Sequence, residues 1–218
     1  MIKVLTIERE YGSGAAAIAK KVAAQLGWTL WDQRLTDEIC RRMECDRQHV
    51  ERHEERRDPL HYRLFKAFLR GSFEGSLIEP RLRLADAEGI RRVAEELVRA
   101  AADQGEAVIV GRGAAYYLRD RPDAVHVFIF APVDEKVRRL QLEEKSETEA
   151  VHLAESIDRD RAAFIKQHFG VEWPARHVFH LMVNSTIGED ATVRIIIDVL
   201  AAVQESNTIA ARGRAEEH

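Results

Sequence analysis

The sequence predicts an α/β fold with a parallel sheet covered by helices on both faces. Three observations carry that expectation: five short apolar runs rich in Val and Ile, helix-period segments between them, and a glycine turn joining the first run to the first helix. A chain of 218 residues suffices for one such core with a small insertion, and is too short for two full enzymatic domains.

The runs expected as strands are Lys3 to Ile7, Trp28 to Trp31, Ala107 to Val110, Val125 to Ala131 and Val178 to Val183. Each is bounded by Gly, Asp or Pro and is too short to be a helix with a buried stripe. The helical segments between them are Ala15 to Leu26, Leu35 to Met43, Leu84 to Asp103, Val133 to Glu144, Glu149 to His168 and Ala191 to Gln204. The interval from Leu35 to Gln104 has no convincing strand and reads as a largely helical insertion (35–104). Within it Phe65, Phe68, Leu69 and Phe73 fall at helical spacings, which suits local core or a self-association face better than a ligand box. A homodimer through that insertion is one expectation. The main domain is expected over 1–206, with a flexible polar tail over 207–218.

A net charge of -4 from interleaved acids and bases gives no field for a nucleic acid polymer or a membrane surface. The amino-terminal apolar run is short and passes directly into charged residues, so it reads as a strand and not a signal peptide, and no segment is long enough to span a bilayer. A cytoplasmic protein is expected. Cys40 and Cys45 lack a second cysteine pair and read as reduced thiols. His49, His53 and His61 lie on a charged helical stretch without ligand spacing, so no residue is assigned to a metal.

Strand Lys3 to Ile7 leads through Glu8-Arg9-Glu10-Tyr11-Gly12-Ser13-Gly14 into an alanine-rich helix. That order suits an anion cradle, in which backbone N–H groups at a helix amino end converge on a phosphate. A plain strand-to-helix turn explains the same stretch equally well when it is taken alone. Where a phosphate loop usually continues with Lys and Ser/Thr, Ala15, Ala16 and Ala17 stand instead. Lys20 lies too deep in the helix to substitute, which makes Arg9 the better source of the missing charge. Arg112 follows the third strand within Gly111-Arg112-Gly113, at the strand end where open α/β sheets bind ligands. Asp32 ends the second strand, where it could cap the next helix or hold a ligand. Arg138, Arg139, Arg159 and Arg161 could be solvated helix charges or phosphate ligands.

Taken together, these segments resemble the cytidylate kinase-like family of the P-loop nucleoside monophosphate kinases. Arg9 to Gly14 is similar to its amino-terminal signature, and Leu30-Trp31-Asp32-Gln33-Arg34 to its second-strand segment. Gly111-Arg112-Gly113 resembles the Gly-Arg-Asp of bacterial cytidylate kinases, with Gly113 in place of Asp. Ile157 to Arg161 resembles their arginine-rich lid, and Leu181 to Thr186 their last strand.

The resemblance implies a P-loop kinase-like five-stranded parallel sheet flanked by helices, a helical acceptor-binding insertion and a helical lid (145–170). It implies ATP on Gly12, Ser13, Gly14, Ala15, Ala16 and Ala17, with Mg2+, and a nucleoside monophosphate, CMP or dCMP, held by Asp32, Arg34 and Arg112. Arg9, Arg159 and Arg161 would then supply charge to the moving phosphoryl group. The alanines in the loop leave a second expectation open: a nucleotide-binding or regulatory protein of this fold with impaired transfer. A kinase for another phosphorylated or hydroxylated small molecule is a third.

Overall fold

The computed structural model describes residues 1–50, 87–142 and 146–216. Strand β1, Val4–Arg9, is buried at every position. It lies at the centre of a five-stranded sheet that also contains β2 (Thr29–Trp31), β3 (Ala107–Val110), β4 (Ala124–Phe130) and β5 (Leu181–Asn184), in the order β2-β3-β1-β4-β5. All pairings are parallel. The fold class expected from the apolar runs and helix periods is therefore the one found. A parallel strand is covered on both faces, which is why these segments read as continuous apolar runs without alternation.

The described helices are α1 (Ala15–Leu26), α2 (Gln33–Val50), α3 (Ala87–Gln104), α4 (Ala114–Tyr117), α5 (Val133–Gln141), α6 (Glu147–Phe169) and α7 (Glu189–Glu216). On one face, α1 and α7 pack Ile18, Ala19, Val22, Val193 and Ile196 against Leu5, Ile7, Val108 and Val127. On the other, α2, α3, α4 and the end of α6 enclose Val4, Ile109, Leu35, Val98, Tyr116 and Phe164. A smaller cluster joins Tyr11, Val137 and Leu140 to Ala150, Ala154 and Ile157, so α6 is seated directly over the turn after β1.

Several boundaries differ from those read off the sequence. β1 runs two residues beyond Ile7, because Glu8 and Arg9 continue the pairing with β4 opposite Phe128 and Ile129. β5 begins at Leu181, and Val178 belongs to a 3-10 turn, Arg176–Val178. The short α4 carries too few residues to show a helical period in the sequence. α7 remains helical to Glu216, through the segment expected as a tail. The aromatic stripe from Phe65 to Phe73, His53 and His61 lie outside the described residues, as do the side chains of Cys40, Cys45 and His49. No described helix is long and apolar enough to cross a membrane.

The strands reach unequally at the carboxyl end of the sheet. Ile7 pairs with Val110, the last residue of β3, whereas β1 continues to Arg9 beside β4. Glu8 and Arg9 thus project past the end of β3, where the chain turns at Gly111.

Candidate phosphate-binding site

The turn after β1 is shaped by two glycines. Gly12 has φ +78, a backbone geometry that costs a residue with a Cβ, and a Cβ there would meet Lys136 Cβ at 3.1 Å and the Lys136 carbonyl oxygen at 3.2 Å. The turn is pressed against the first turn of α5, which begins beside it because β4 is the immediate neighbour of β1. Gly14 caps α1, and its Cα faces the Arg139 guanidinium. Arg139 Nη1 donates to the Ser13 carbonyl at 2.5 Å and to Ser185 Oγ at 2.9 Å, and Ser185 Oγ itself donates to the Ser13 carbonyl at 2.7 Å. The loop is therefore clamped by α5 on one side and by the end of β5 on the other.

Lys136 is 5 % exposed, and its ammonium lies 3.2 Å from Glu10 Oε2 and 2.8 Å from Asp158 Oδ2. Burial alone pulls this ammonium down, but Asp158 and Glu10 outweigh it and hold the group above the ordinary lysine range. Asp158, from α6, also accepts the Tyr11 backbone N–H at 2.8 Å and Arg161 Nη1 at 3.3 Å. Arg161 Nη1 donates in addition to the Arg9 carbonyl at 3.0 Å. Loop, α5 and α6 are joined through one carboxylate.

Beyond the loop, Gly111, Arg112 and Gly113 all have positive φ, with Arg112 at 55°. A left-handed arginine is uncommon and marks a position where the surroundings hold the backbone. Here the turn aims the guanidinium back across the sheet end: Nη1 donates to Asp32 Oδ1 and to the Val110 carbonyl, each at 3.2 Å, and Nη2 donates to Thr36 Oγ1. Burial lowers Arg112 to about 10 against the pull of Asp32, and it lowers Arg161 to about 10, with Arg9 adding to the effect. Glu8 lies among Arg9, Arg161 and Arg112 and accepts the Gly113 N–H, yet burial dominates and its carboxyl is raised above the usual range.

The structure brings together most of the residues singled out from the sequence. Arg9, Asp32, Arg112 and Arg161 are all buried at the carboxyl end of the sheet, near Gly12 to Gly14. Arg9 faces the β3 side, where its Nη1 fills the space beside Gly111. Two residues stand apart. Arg159 is exposed on α6, and Arg34 is exposed and stacked over the Trp31 ring at 4.4 Å. Of the two arginines on α5, Arg138 is an exposed partner of Glu135 and Arg139 holds the loop.

Glu8, Thr36, Lys136 and Ser185 join the cluster without a sequence motif that marks them individually. Lys136 carries no local motif; only its place in the first turn after the strand beside β1 marks it, and strand order is not written in the sequence.

The donor set fits an anionic phosphate ligand: left-handed glycines, a helix amino end, and buried Lys and Arg side chains. Within Gly12 to Ala17 the one side-chain oxygen that could hold magnesium is Ser13 Oγ, a buried hydroxyl with no hydrogen-bond partner. Among the described residues no cluster of three or more His, Cys, Asp or Glu forms a metal site. Magnesium bound with nucleotide commonly takes only one or two protein oxygens, so a single loop hydroxyl is compatible with it.

Comparison with known proteins bears on the same segments. The family model for the cytidylate kinase-like family matches residues 4–187, which spans every strand and the whole cluster. The chain belongs to the cytidylate kinase-like family. An uncharacterized protein from Eubacterium ventriosum is similar in structure, at TM-score 0.64 and 20% identity, covering 92% of this chain and 99% of that one. Shikimate kinase from Bacteroides thetaiotaomicron superposes at TM-score 0.52 and 17% identity, covering 92% and 99% of the two chains. Shikimate kinase from Acinetobacter baumannii, solved with shikimate, does so at 0.51 and 15%, covering 93% and 95%. The fold is that of the P-loop kinases. No match is found among curated proteins.

Proposed function

We propose that this cytidylate kinase-like protein transfers the γ-phosphate of ATP to a nucleoside monophosphate, with CMP or dCMP favoured. The observation that carries the reading is the gathering of Arg9, Asp32, Arg112 and Arg161 at the carboxyl end of the sheet, beside a glycine loop clamped by Arg139. ATP is assigned to the loop Gly12 to Ala17, and the acceptor to the side of Asp32 and Arg112, with Arg34 at its outer edge. Phosphoryl transfer asks the protein mainly to position two phosphates in line and to neutralise charge on the moving group, work that guanidinium groups do well. Magnesium, if held at the Ser13 hydroxyl, would supply positive charge toward the phosphates. Arg161 reaches the β1 carbonyl end directly and takes the charge-supplying role, together with Arg9. Arg159, two residues away on the exposed side of α6, would join only if α6 moves.

Purified protein incubated with ATP, magnesium and each monophosphate in turn, with ADP formation followed, tests the proposal. The expected result is turnover with CMP or dCMP well above that of an Arg112→Ala, Arg161→Ala double variant. Equal background rates with every acceptor would sink it. Ala15 and Ala16 favour a second reading, a nucleotide-binding protein of this fold with transfer lost. It predicts that ATP raises the melting temperature while no phosphate moves.

A further inference from the structure

The cations of the buried cluster are already engaged by carboxylates: Arg112 by Asp32, Lys136 by Glu10 and Asp158, and Arg161 by Asp158. A phosphate brought into such a cluster adds negative charge to a poorly solvated site, so binding is favoured when a carboxylate leaves. One carboxylate is placed where a phosphate oxygen would bind. Asp158 takes the backbone N–H of Tyr11 with one oxygen, the Lys136 ammonium with the other, and Arg161 Nη1 beside them. A loop amide, an ammonium and a guanidinium converging on one anion are the donors by which proteins hold phosphates.

We propose that Tyr11 N–H, Lys136 and Arg161 form a phosphate subsite for the nucleotide donor, and that Asp158 occupies it as an exchangeable stand-in. Lys136, reaching the loop from α5, then supplies the charge that Ala15 does not. The inference rests on the assignment of nucleotide to this loop, and it deepens that assignment by naming the cation. Because Asp158 comes from α6, exchange of the carboxylate for phosphate also couples loop occupancy to the position of α6.

The two members of the ion pair should respond in opposite directions. Tripolyphosphate and ATP are titrated by calorimetry into the full chain and into Asp158→Asn, Lys136→Met, Lys136→Arg and Arg138→Gln, with folding checked by circular dichroism. Asp158→Asn keeps the shape and removes the competing charge, so it should tighten both ligands by about tenfold, roughly the worth of one charge-assisted hydrogen bond. Lys136→Met should weaken both by about tenfold or more, Lys136→Arg should largely restore them, and the exposed Arg138→Gln should leave them unchanged. A merely structural ion pair predicts that Asp158→Asn and Lys136→Met both weaken binding or leave it alone. If the parent chain binds ATP but Asp158→Asn binds no tighter, the subsite is wrong and the nucleotide assignment stands. If neither the parent nor a folded Asp158→Asn binds tripolyphosphate or ATP, both fall.

Discussion

Arg112 and Asp32, eighty positions apart in sequence, form a buried ion pair at 3.2 Å that ties the turn after β3 to the start of α2. The Asp32 carbonyl accepts the Leu35 and Thr36 N–H groups that open α2, so this one residue starts a helix and neutralises an arginine. Of the cap and ligand roles open from the sequence, the start of the helix is the one seen, at the backbone carbonyl, while the carboxylate pairs with Arg112. Removing one partner of a buried pair leaves the other charge unpaired, which is far costlier than the pair is worth intact. Arg112→Ala should lower unfolding free energy by about 3–5 kcal/mol in urea denaturation, and Arg112→Lys by less, since lysine keeps the charge without the fork. A loss under 1 kcal/mol for Arg112→Ala would show that the cluster relaxes freely.

Gly111 is expected to tolerate no side chain. Its φ is +66, and a Cβ would fall 1.8 Å from Arg9 Nη1. Backbone strain alone costs about 1–3 kcal/mol, and displacement of a buried guanidinium adds to it. Gly111→Ala should therefore shift the thermal midpoint down by many degrees, and it should do so with or without nucleotide. Recovery of most of that loss in a Gly111→Ala, Arg9→Ala double variant would identify Arg9 as the obstacle.

His126 sets an acid limit on stability. It is buried, with Nδ1 2.7 Å from Thr6 Oγ1, and burial followed by repulsion from His180 lowers it from 6.5 to about 4. The unfolded chain therefore binds more protons than the folded one between those values, so stability falls as pH drops from about 6.5 to about 4. At most about 3 kcal/mol is involved, from 1.36 kcal/mol per pKa unit. His180 is lowered by burial as well and acts in the same direction. Denaturation curves across this window should show the slope, and His126→Asn should flatten it while leaving the slope from the carboxylates.

Ser185 anchors the Gly12–Gly14 loop from the far side. Its hydroxyl donates to the Ser13 carbonyl and accepts from Arg139. Ser185→Ala should cost about 1 kcal/mol and raise hydrogen exchange at Gly14 and Ala15 more than in the β3 turn. Uniform exchange changes across the sheet would instead indicate a global loss.

Much of the architecture was legible because it depends on local pattern. Fully buried parallel strands must be short and apolar, and the helices between them must carry a stripe, so β1, β3, β4, α1 and α6 show in the sequence almost as they stand. Gly12 and Gly14 mark the loop for the same reason, since few other residues adopt that backbone. The last two residues of β1, Glu8 and Arg9, are charged, and charge ordinarily ends a strand; here the pairing with β4 continues regardless.

The sequence by itself determined the parallel α/β fold, the glycine loop with its alanines, and the arginines that follow the strands. Tertiary structure decided which of them meet. It set Arg139 on the loop and left Arg138 in solvent, buried Arg161 and exposed Arg159, turned Arg9 toward Gly111, and brought Lys136 to Gly12. The physical reason is strand order. The charged side chains of the cluster come together because β1 is flanked by β3 and β4, and that neighbourhood follows from burial of the whole sheet, which no local spacing encodes.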